Sequence, residues 1–409
     1  MNETKITKNT ARLWLVIFPG IMLLALVGFL ALMGKPVSTE SENRNPVTWD
    51  EVMAAPLEEK SSVFESWFND RFPLRGELTI GNGLADYFVF GDSASSQVVR
   101  GKEGWCFYRG DEDYCLDQYK GIENCSDETM GEILENLTNT RDYLAERGID
   151  FIVMIVPGKQ RIYSEYMPDE IKVIDEKCNT DEVVSAIREN TDIKLLWLEE
   201  NFEKYKSENP GGTPLYYKLE SHWNDFGAYV GTSVLLSELG VKGYEKDDFS
   251  SEALFERGIT ITQKKQTELD LTKLMNLSSV LSDTAYEVEG YSENIPEIFK
   301  GKDAAEVAGT AGLFENEESE DEAYSEIIIS ENDSAPDKRK IYLYGDSFSR
   351  YMVSYLGSEF SQVYRNDEID NEQLFAVSPD VVVFEIVERN IGRLDDEDIV
   401  TEADDPQKQ

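Results

Sequence analysis

A serine stands in a context that suits nucleophilic catalysis. Gly345-Asp346-Ser347 follows an apolar run ending at Tyr344, so we predict that Ser347 lies on a turn at the carboxyl end of a strand. Ligands bind at such ends in open α/β sheets. A helix is expected just after the turn, so that the Ser347 amide would stabilise an oxyanion. Gly345 and Asp346 are candidates for the same oxyanion or substrate site. An ordinary turn is the alternative.

A base for this serine is available from one residue alone. His222 is the chain's single histidine, so a mechanism with an imidazole base must use it. Glu220 precedes it by two residues, and side chains i and i+2 of an extended segment point the same way. We expect an extended run that ends in a helix cap at Asn224 or Asp225. Glu220 would then orient the imidazole as the acid of a triad. A solvated carboxylate beside a core histidine is the alternative.

Other polar residues follow the ends of predicted strands. Lys159, Arg161 and Tyr163 come after an apolar run at 150–157 and are candidates to line the same crevice, in contact with substrate or oxyanion. Asn390 follows the last predicted strand and is a candidate hydrogen-bond donor there. Exposed positions in loops are the alternative for all four residues.

The elements that must position these groups alternate along the chain. Apolar runs predict buried strands at 150–157, 193–198, 340–344 and 381–385. Helical periodicity predicts helices at 127–147, 181–190, 226–239 and 351–360. The alternation predicts an α/β fold with a doubly wound, mostly parallel sheet.

The amino-terminal part differs from this pattern. Residues 13–33 are uncharged and long enough as a helix to cross a hydrocarbon layer. Lys5, Lys8 and Arg12 precede them, which predicts an uncleaved transmembrane signal anchor, with residues 1–12 in the cytoplasm and the remainder outside the cell membrane. A cleaved signal peptide is the alternative.

The rest of the chain divides by composition. Residues 34–99 are expected to form a stalk and juxtamembrane helices, and residues 100–392 the main domain. Residues 284–338 lose periodicity and are acidic, which predicts a surface insertion in that domain. Residues 393–409 are expected to be an acidic carboxyl-terminal tail.

Charge and cysteine content exclude some functions. The 409 residues include 39 Lys and Arg against 81 Asp and Glu, a net charge of −42, which would repel a phosphate backbone. Nucleic acid is therefore excluded as a partner. Cys106, Cys115, Cys125 and Cys178 fall in the predicted exported part, where disulfides persist; buried thiols are an equal alternative. Their spacing lacks the paired pattern of a zinc site, so no metal is predicted.

Two motifs together resemble a known family. Glu220-Ser-His-Trp-Asn and Gly-Asp-Ser347-Phe-Ser are similar to motifs of the AlgX/AlgJ alginate O-acetyltransferase family and its SGNH hydrolase-like relatives, which carry Asp-x-His-Trp before a late serine. Further matching pieces lie at 69–75, 101–105 and 156–159. The chain departs from the family pattern at Glu220, where the family has aspartate.

The resemblance implies an SGNH hydrolase-like fold with permuted motif order, because ordinary SGNH hydrolases place Gly-Asp-Ser first and histidine last. It implies Ser347 as nucleophile, His222 as base and Glu220 as acid, with no cofactor. The acetyl group would come from a membrane-bound O-acyltransferase and pass to a hydroxyl of an exported polysaccharide. A carbohydrate acetyl esterase of the same fold and a non-catalytic glycan-binding or scaffold protein of the cell envelope are the alternatives.

Overall fold

The computed structural model divides into two compact units. One comprises residues 1–96 and 272–281, and the other residues 97–271 and 282–409. The structure describes residues 8–32, 45–72, 75–110, 115–122, 125–175, 177–244, 248–310, 326–367 and 371–395.

The strands of the described residues form three sheets. They are β1 (Val98–Arg100), β2 (Cys106–Tyr108), β3 (Asp150–Val156), β4 (Lys194–Trp197), β5 (Thr260–Gln266), β6 (Asp283–Glu289), β7 (Glu297–Lys300), β8 (Ile328–Glu331), β9 (Asp337–Gly345), β10 (Phe360–Asn366) and β11 (Val381–Val387). The main sheet has the order β4-β3-β11-β9-β10-β8-β7, and β1-β2 and β5-β6 form antiparallel pairs.

The main sheet is mostly parallel, as predicted. Strands β4, β3, β11, β9 and β10 pair in parallel, and β8 and β7 add to one edge in antiparallel fashion. Every residue of β11 is buried, the pattern of a strand covered on both faces. Along β3 the side chains alternate, with Ile152 and Met154 in the core of one face and Phe151 and Val153 in the core of the other.

Helices cover both faces of this sheet. In the described residues the α-helices are α1 (Lys8–Leu32), α2 (Trp49–Ala54), α3 (Lys60–Asn69), α4 (Arg75–Ala85), α5 (Cys115–Lys120), α6 (Asp127–Ala145), α7 (Lys159–Ile162), α8 (Asn179–Asn190), α9 (Glu199–Glu208), α10 (Asp225–Glu238), α11 (Ser251–Glu256), α12 (Asp270–Leu274), α13 (Lys302–Val307), α14 (Val353–Glu359) and α15 (Asn371–Val377). Helices α6 and α8 contribute to one core, and α9, α10 and α14 to the other. The fold is therefore doubly wound.

The segment 284–338 differs from the predicted surface insertion. Its strands β7 and β8 belong to the main sheet, and Ile329 of β8 is fully buried. Each strand has only four residues, too few for a periodic pattern to be recognised in the sequence. Residues 311–325, the most acidic part, lie outside the described residues, as do residues 396–409 of the predicted tail.

The amino-terminal unit is helical where it is described. Residues 8–32 form α1, which contains Pro19. Within the described ranges, none of the helices combines the length and apolar character needed to cross a membrane, so the transmembrane helix predicted at 13–33 is not found. Further along, Trp49 of α2 packs edge-on against Trp67 of α3, with ring centroids 4.9 Å apart. Residues 33–44 of the predicted stalk lie outside the described residues.

Candidate active site

Ser347 lies on a tight turn at the carboxyl end of β9. This strand is the central one, between β11 and β10, so the turn lies at the middle of the row formed by the carboxyl ends of the parallel strands. A 3-10 helix, Ser349–Tyr351, follows the turn, and α14 begins only at Val353. The α-helix thus starts later than the sequence predicts, because the Ser349 amide donates to the Asp346 carbonyl (3.1 Å) and closes a tighter turn first.

Gly345, Asp346 and Asn390 shape this turn. Asp346 Oδ1 accepts the Phe348 amide at 3.0 Å, while Oδ2 accepts Asn390 Nδ2, also at 3.0 Å. A Cβ at Gly345 would lie 2.6 Å from Glu385 Oε2, so only glycine fits there. The three residues were predicted to contact substrate or oxyanion; the structure instead uses the side chains of Asp346 and Asn390 to hold the backbone beneath Ser347.

A buried arginine on β10, Arg365, stabilises the turn that carries Ser347 through hydrogen bonds. Its Nη2 donates to the carbonyl oxygens of Gly345 and Asp346, each at 2.8 Å, and its Nε donates to Ser349 Oγ at 2.8 Å. Nη1 reaches Glu326 Oε2 at 2.9 Å, which balances the buried charge. Sequence reasoning missed Arg365, because a single arginine in a short, mixed strand resembles an exposed residue.

His222 lies on a loop that is closed by an isolated bridge between Tyr216 and Trp223. The loop consists of bends rather than the predicted extended run. Asn224 caps α10, as predicted, by accepting the Gly227 amide at 2.9 Å. The Trp223 indole donates to the Phe348 carbonyl at 3.2 Å, which joins this loop to the serine turn.

The loop and the turn bring Ser347, His222 and Glu220 into a line. His222 Nε2 is 2.7 Å from Ser347 Oγ, and Nδ1 is 3.1 Å from Glu220 Oε1. The imidazole also packs against the Phe348 ring, with centroids 4.9 Å apart. Nδ1 can donate to the carboxylate while Nε2 accepts the serine proton, which is the geometry of a base that activates a nucleophile.

Lys159 supports this loop from inside and does not face the cleft. Its buried ammonium donates to the carbonyl oxygens of Tyr217 (2.9 Å), Lys218 (3.0 Å) and Glu220 (2.8 Å). Burial lowers the pKa of Lys159 to about 8. The predicted contact with substrate is therefore corrected: with three carbonyl partners, the ammonium fixes the backbone that carries Glu220.

Arg161 and Tyr163 are likewise structural. Arg161 donates to Glu388 Oε1 at 2.7 Å and pairs with Asp181 and Glu199. The Tyr163 hydroxyl accepts the Leu215 amide at 2.8 Å, and its ring stacks on Trp105. Neither residue lines the cleft beside Ser347. The alternative of exposed loop positions is also wrong, because both side chains are largely buried.

A cleft of about 480 Å³ opens beside the serine. Strands β7 and β8 supply one wall, with Ile298, Lys300 and Ile328, and the segment after Ser347 supplies the other. The full lining consists of Glu220, His222, Asp225, Ile298, Lys300, Ile328, Ser347, Arg350, Tyr351, Val353 and Ser354. Sequence reasoning missed this wall, because β7 and β8 fall in the segment that was expected to be a surface insertion.

A metal ion has one conceivable location among the described residues. Ligand atoms of Glu220, His222 and Asp270 lie within 4.8 Å of one another. However, the histidine atom nearest both carboxylates is Nδ1, the atom that bonds Glu220 in the triad geometry. An ion bound there would displace the proton that this bond requires, so we assign the cluster to the triad.

The four cysteines are thiols. Cys106, Cys115 and Cys178 are buried, and Cys125 is half-buried. Burial raises the pKa of Cys178 to about 12, which keeps its thiol protonated. The sequence left disulfides and buried thiols open as alternatives, and the structure has thiols.

The fold and site together define an SGNH hydrolase-like α/β protein with the geometry of a Ser-His-carboxylate triad. The sequence model of the family described as "SGNH hydrolase-like domain, acetyltransferase AlgX" matches residues 98–321, more than half of the chain. The chain belongs to this family. The matched region includes Glu220 and His222 and ends before Ser347.

The individual proteins that resemble this chain have low sequence identity to it. The probable alginate O-acetylase AlgJ of Pseudomonas putida is 24% identical over 221 residues, which are 54% of this chain and 52% of that protein. The chain thus matches about half the length of this relative. Among solved structures, Bacillus cereus PatB1 with a sulfonyl adduct has 16% identity and a TM-score of 0.46, over 72% of this chain and 94% of that one. The O-acetyltransferase domain of Pseudomonas putida AlgJ has 16% identity and a TM-score of 0.43, over 76% and 96%.

Proposed function

We propose that this protein is an O-acetyltransferase that moves an acetyl group through Ser347 to a hydroxyl of a polysaccharide. The observation that carries the proposal is the contact of His222 Nε2 with Ser347 Oγ at 2.7 Å, at the mouth of a cleft. Membership of an acetyltransferase family supports the choice of acetyl as the group transferred.

In the first half-reaction Ser347 Oγ attacks the carbonyl carbon of the acetyl donor while its proton passes to His222 Nε2. The tetrahedral intermediate collapses, the bond from the carbonyl carbon to the donor oxygen breaks, and His222 returns the proton to that leaving oxygen. Glu220 stabilises the imidazolium between these two events. The product is an acetyl ester on Ser347.

In the second half-reaction an acceptor hydroxyl in the cleft gives its proton to His222 and attacks the acetyl carbon. The ester bond to Ser347 breaks, and the serine oxygen takes the proton back. The cleft suits a sugar, since Tyr351 offers an aromatic surface and Lys300 and Arg350 offer hydrogen-bond donors. Burial raises the pKa of Tyr351, so that its phenol stays a donor at neutral pH.

The proposal also covers the cellular location of the enzyme, its polysaccharide and its acetyl donor. We place the enzyme outside the cytoplasm, held at the membrane by residues 13–33, because cationic residues precede an uncharged stretch. The polysaccharide would be an exported one, and a membrane-bound O-acyltransferase would supply the acetyl group. The relative from Pseudomonas putida, whose name is probable alginate O-acetylase AlgJ, supports this substrate class.

A transfer assay tests the proposal. The full chain is incubated with p-nitrophenyl acetate and neutral or uronate oligosaccharides, and acetylated sugar and free acetate are measured separately. We expect acetylated sugar, and its loss in Ser347→Ala and His222→Ala. Free acetate alone, released in a Ser347-dependent way with every acceptor, would instead make the protein an esterase. No Ser347-dependent turnover by a folded protein would contradict both functions.

A further inference from the structure

A second carboxylate, Asp270, lies beside the same imidazole nitrogen as Glu220. Asp270 Oδ2 is 3.8 Å from His222 Nδ1, and Glu220 Oε1 is 3.1 Å from it. We propose that Asp270 is a positioning residue that shares with Glu220 the stabilisation of the protonated imidazole. This inference rests on the proposed function, because it assigns Asp270 to the same serine mechanism.

Ser221 joins Asp270 to the histidine. The Ser221 amide donates to Asp270 Oδ1 at 2.9 Å, and its hydroxyl donates to Asp270 Oδ2. Ser221 Oγ is in turn 3.4 Å from His222 Nδ1, and the serine is buried. Asp270 therefore fixes the backbone directly before His222 and extends a polar contact to the ring.

The two acids reach Nδ1 from different elements. Glu220 belongs to the loop of His222 itself, whereas Asp270 is the first residue of α12. Their side chains are 16% and 34% exposed, so solvent screens Asp270 more than Glu220. An opposite charge within about 4–6 Å favours the charged form of a titratable group. Each acid is thus close enough to stabilise the imidazolium when the other is removed.

Other ionisable groups also surround His222. They are the same in the wild-type protein and in a variant that changes Asp270 alone. The Tyr351 ring lies 6.2 Å from the imidazole, and Asp225, Lys300 and Arg350 line the same cleft. Arg389 stacks on Phe348, the ring that contacts His222. A change seen on altering Asp270 alone therefore reports Asp270.

The chain offers a direct measurement, because it has a single histidine. In the full chain, carrying no histidine tag, the imidazole resonances give the pH midpoint at which His222 titrates, without reference to activity. We expect Asp270→Asn to lower this midpoint by about half a unit to one unit. Glu220→Gln should lower the midpoint further. The double variant, with Asp270→Asn and Glu220→Gln together, should have the lowest midpoint.

Asp283→Asn is the matched control. Asp283 also caps this loop, since Oδ2 accepts the Leu219 amide at 2.9 Å, but the structure gives it no contact with the imidazole. We expect its midpoint to equal that of the wild-type protein. An unchanged midpoint in Asp270→Asn, with the fold intact, would overturn the inference.

A kinetic measurement completes the test. For p-nitrophenyl acetate, the acidic limb of kcat/KM should shift to lower pH in Asp270→Asn, and the double variant should lose more activity than the product of the two single losses. A double variant equal to Glu220→Gln would contradict a shared role. If acetate release does not depend on Ser347, the proposed function fails, while the resonance titration still decides whether Asp270 acts on His222.

Discussion

Glu385 lies directly beneath the serine turn, opposite Gly345 in the parallel pairing of β11 and β9. Its side chain is fully buried. Burial, and secondarily the nearby Asp346 carboxylate, raises the pKa of Glu385 well above its usual range. The carboxyl is therefore neutral in the folded protein at pH values where it ionises in the unfolded chain.

Replacement of this group tests its protonation. Between the unfolded and the folded pKa of Glu385 the native state holds one proton more than the unfolded state, so the contribution of this group to the free energy of unfolding falls as pH rises. Glu385→Gln is neutral in both states and avoids this loss. We expect its stability relative to wild type to grow by about 1.4 kcal/mol per pH unit above pH 5. Urea unfolding at pH 5, 6 and 7 measures this difference, and a constant difference would contradict it.

At the scale of single residues, the sequence predicts the groups that sit in local motifs. Ser347, His222 and Glu220 could be found because a turn signal and a single histidine restrict the choice. Asp270 and Arg365 could not, since each reaches the site from a distant segment and no local pattern marks it. The roles predicted for Lys159 and Arg161 were wrong, because strand ends carry structural cations as well as ligands.

At the scale of elements, the loop of His222 depends on a lysine from another segment. Lys159 stands at the start of α7, just after β3, and its three carbonyl partners all lie in the loop at 217–220. A loop without regular structure has few backbone bonds of its own, so this ammonium replaces the ladder that a strand would provide. The position of Glu220 therefore depends on Lys159.

The Lys159→Met variant tests this dependence. It removes the ammonium donor from three carbonyl groups, of which the Lys218 carbonyl keeps the Cys106 amide at 2.8 Å. We expect the free energy of unfolding to fall by about 2–5 kcal/mol, because buried carbonyl groups lose a partner. We expect kcat to fall about tenfold, because Glu220 is displaced from His222. Lys218→Met is the control, because Lys218 Nζ lies over the Trp105 ring at 5.7 Å and its loss should cost less than about 1 kcal/mol. Urea unfolding and acetate release measure both variants. Equal effects of the two substitutions would show that the carbonyl contacts do not matter.

Several of the long elements were predictable from the sequence. The strands β3, β9 and β11 and the helices α6, α8 and α10 have seven or more residues, and their apolar patterns match the sequence prediction closely. The seven-residue strands β5, β6 and β10 were missed. In β10 the buried Arg365 and its polar neighbours interrupt the apolar run. Pairing in a sheet depends on distant partners, which local periodicity does not report.

At the scale of the whole molecule, a negatively charged chain presents a cleft that contains cations. The net charge is −42, yet Lys300 and Arg350 face the space beside Ser347, and Arg350 pairs with Glu326. Strand β7 supplies Lys300 and is the edge strand of the main sheet. The central strand β9 thus carries Ser347, and the antiparallel edge lines the cleft beside it.

The central claim is that Ser347 carries the acetyl group, and rapid quenching with peptide mass spectrometry tests it most directly. After brief exposure of the full chain to p-nitrophenyl acetate, we predict one added acetyl group on the peptide that contains Ser347. The adduct should be absent in Ser347→Ala, strongly reduced in His222→Ala, and retained in Ser361→Ala, a control serine on β10 whose hydroxyl donates to the Lys338 carbonyl. Acetate release by the wild-type protein with no acetyl on Ser347, or an adduct that persists in Ser347→Ala, would contradict the account.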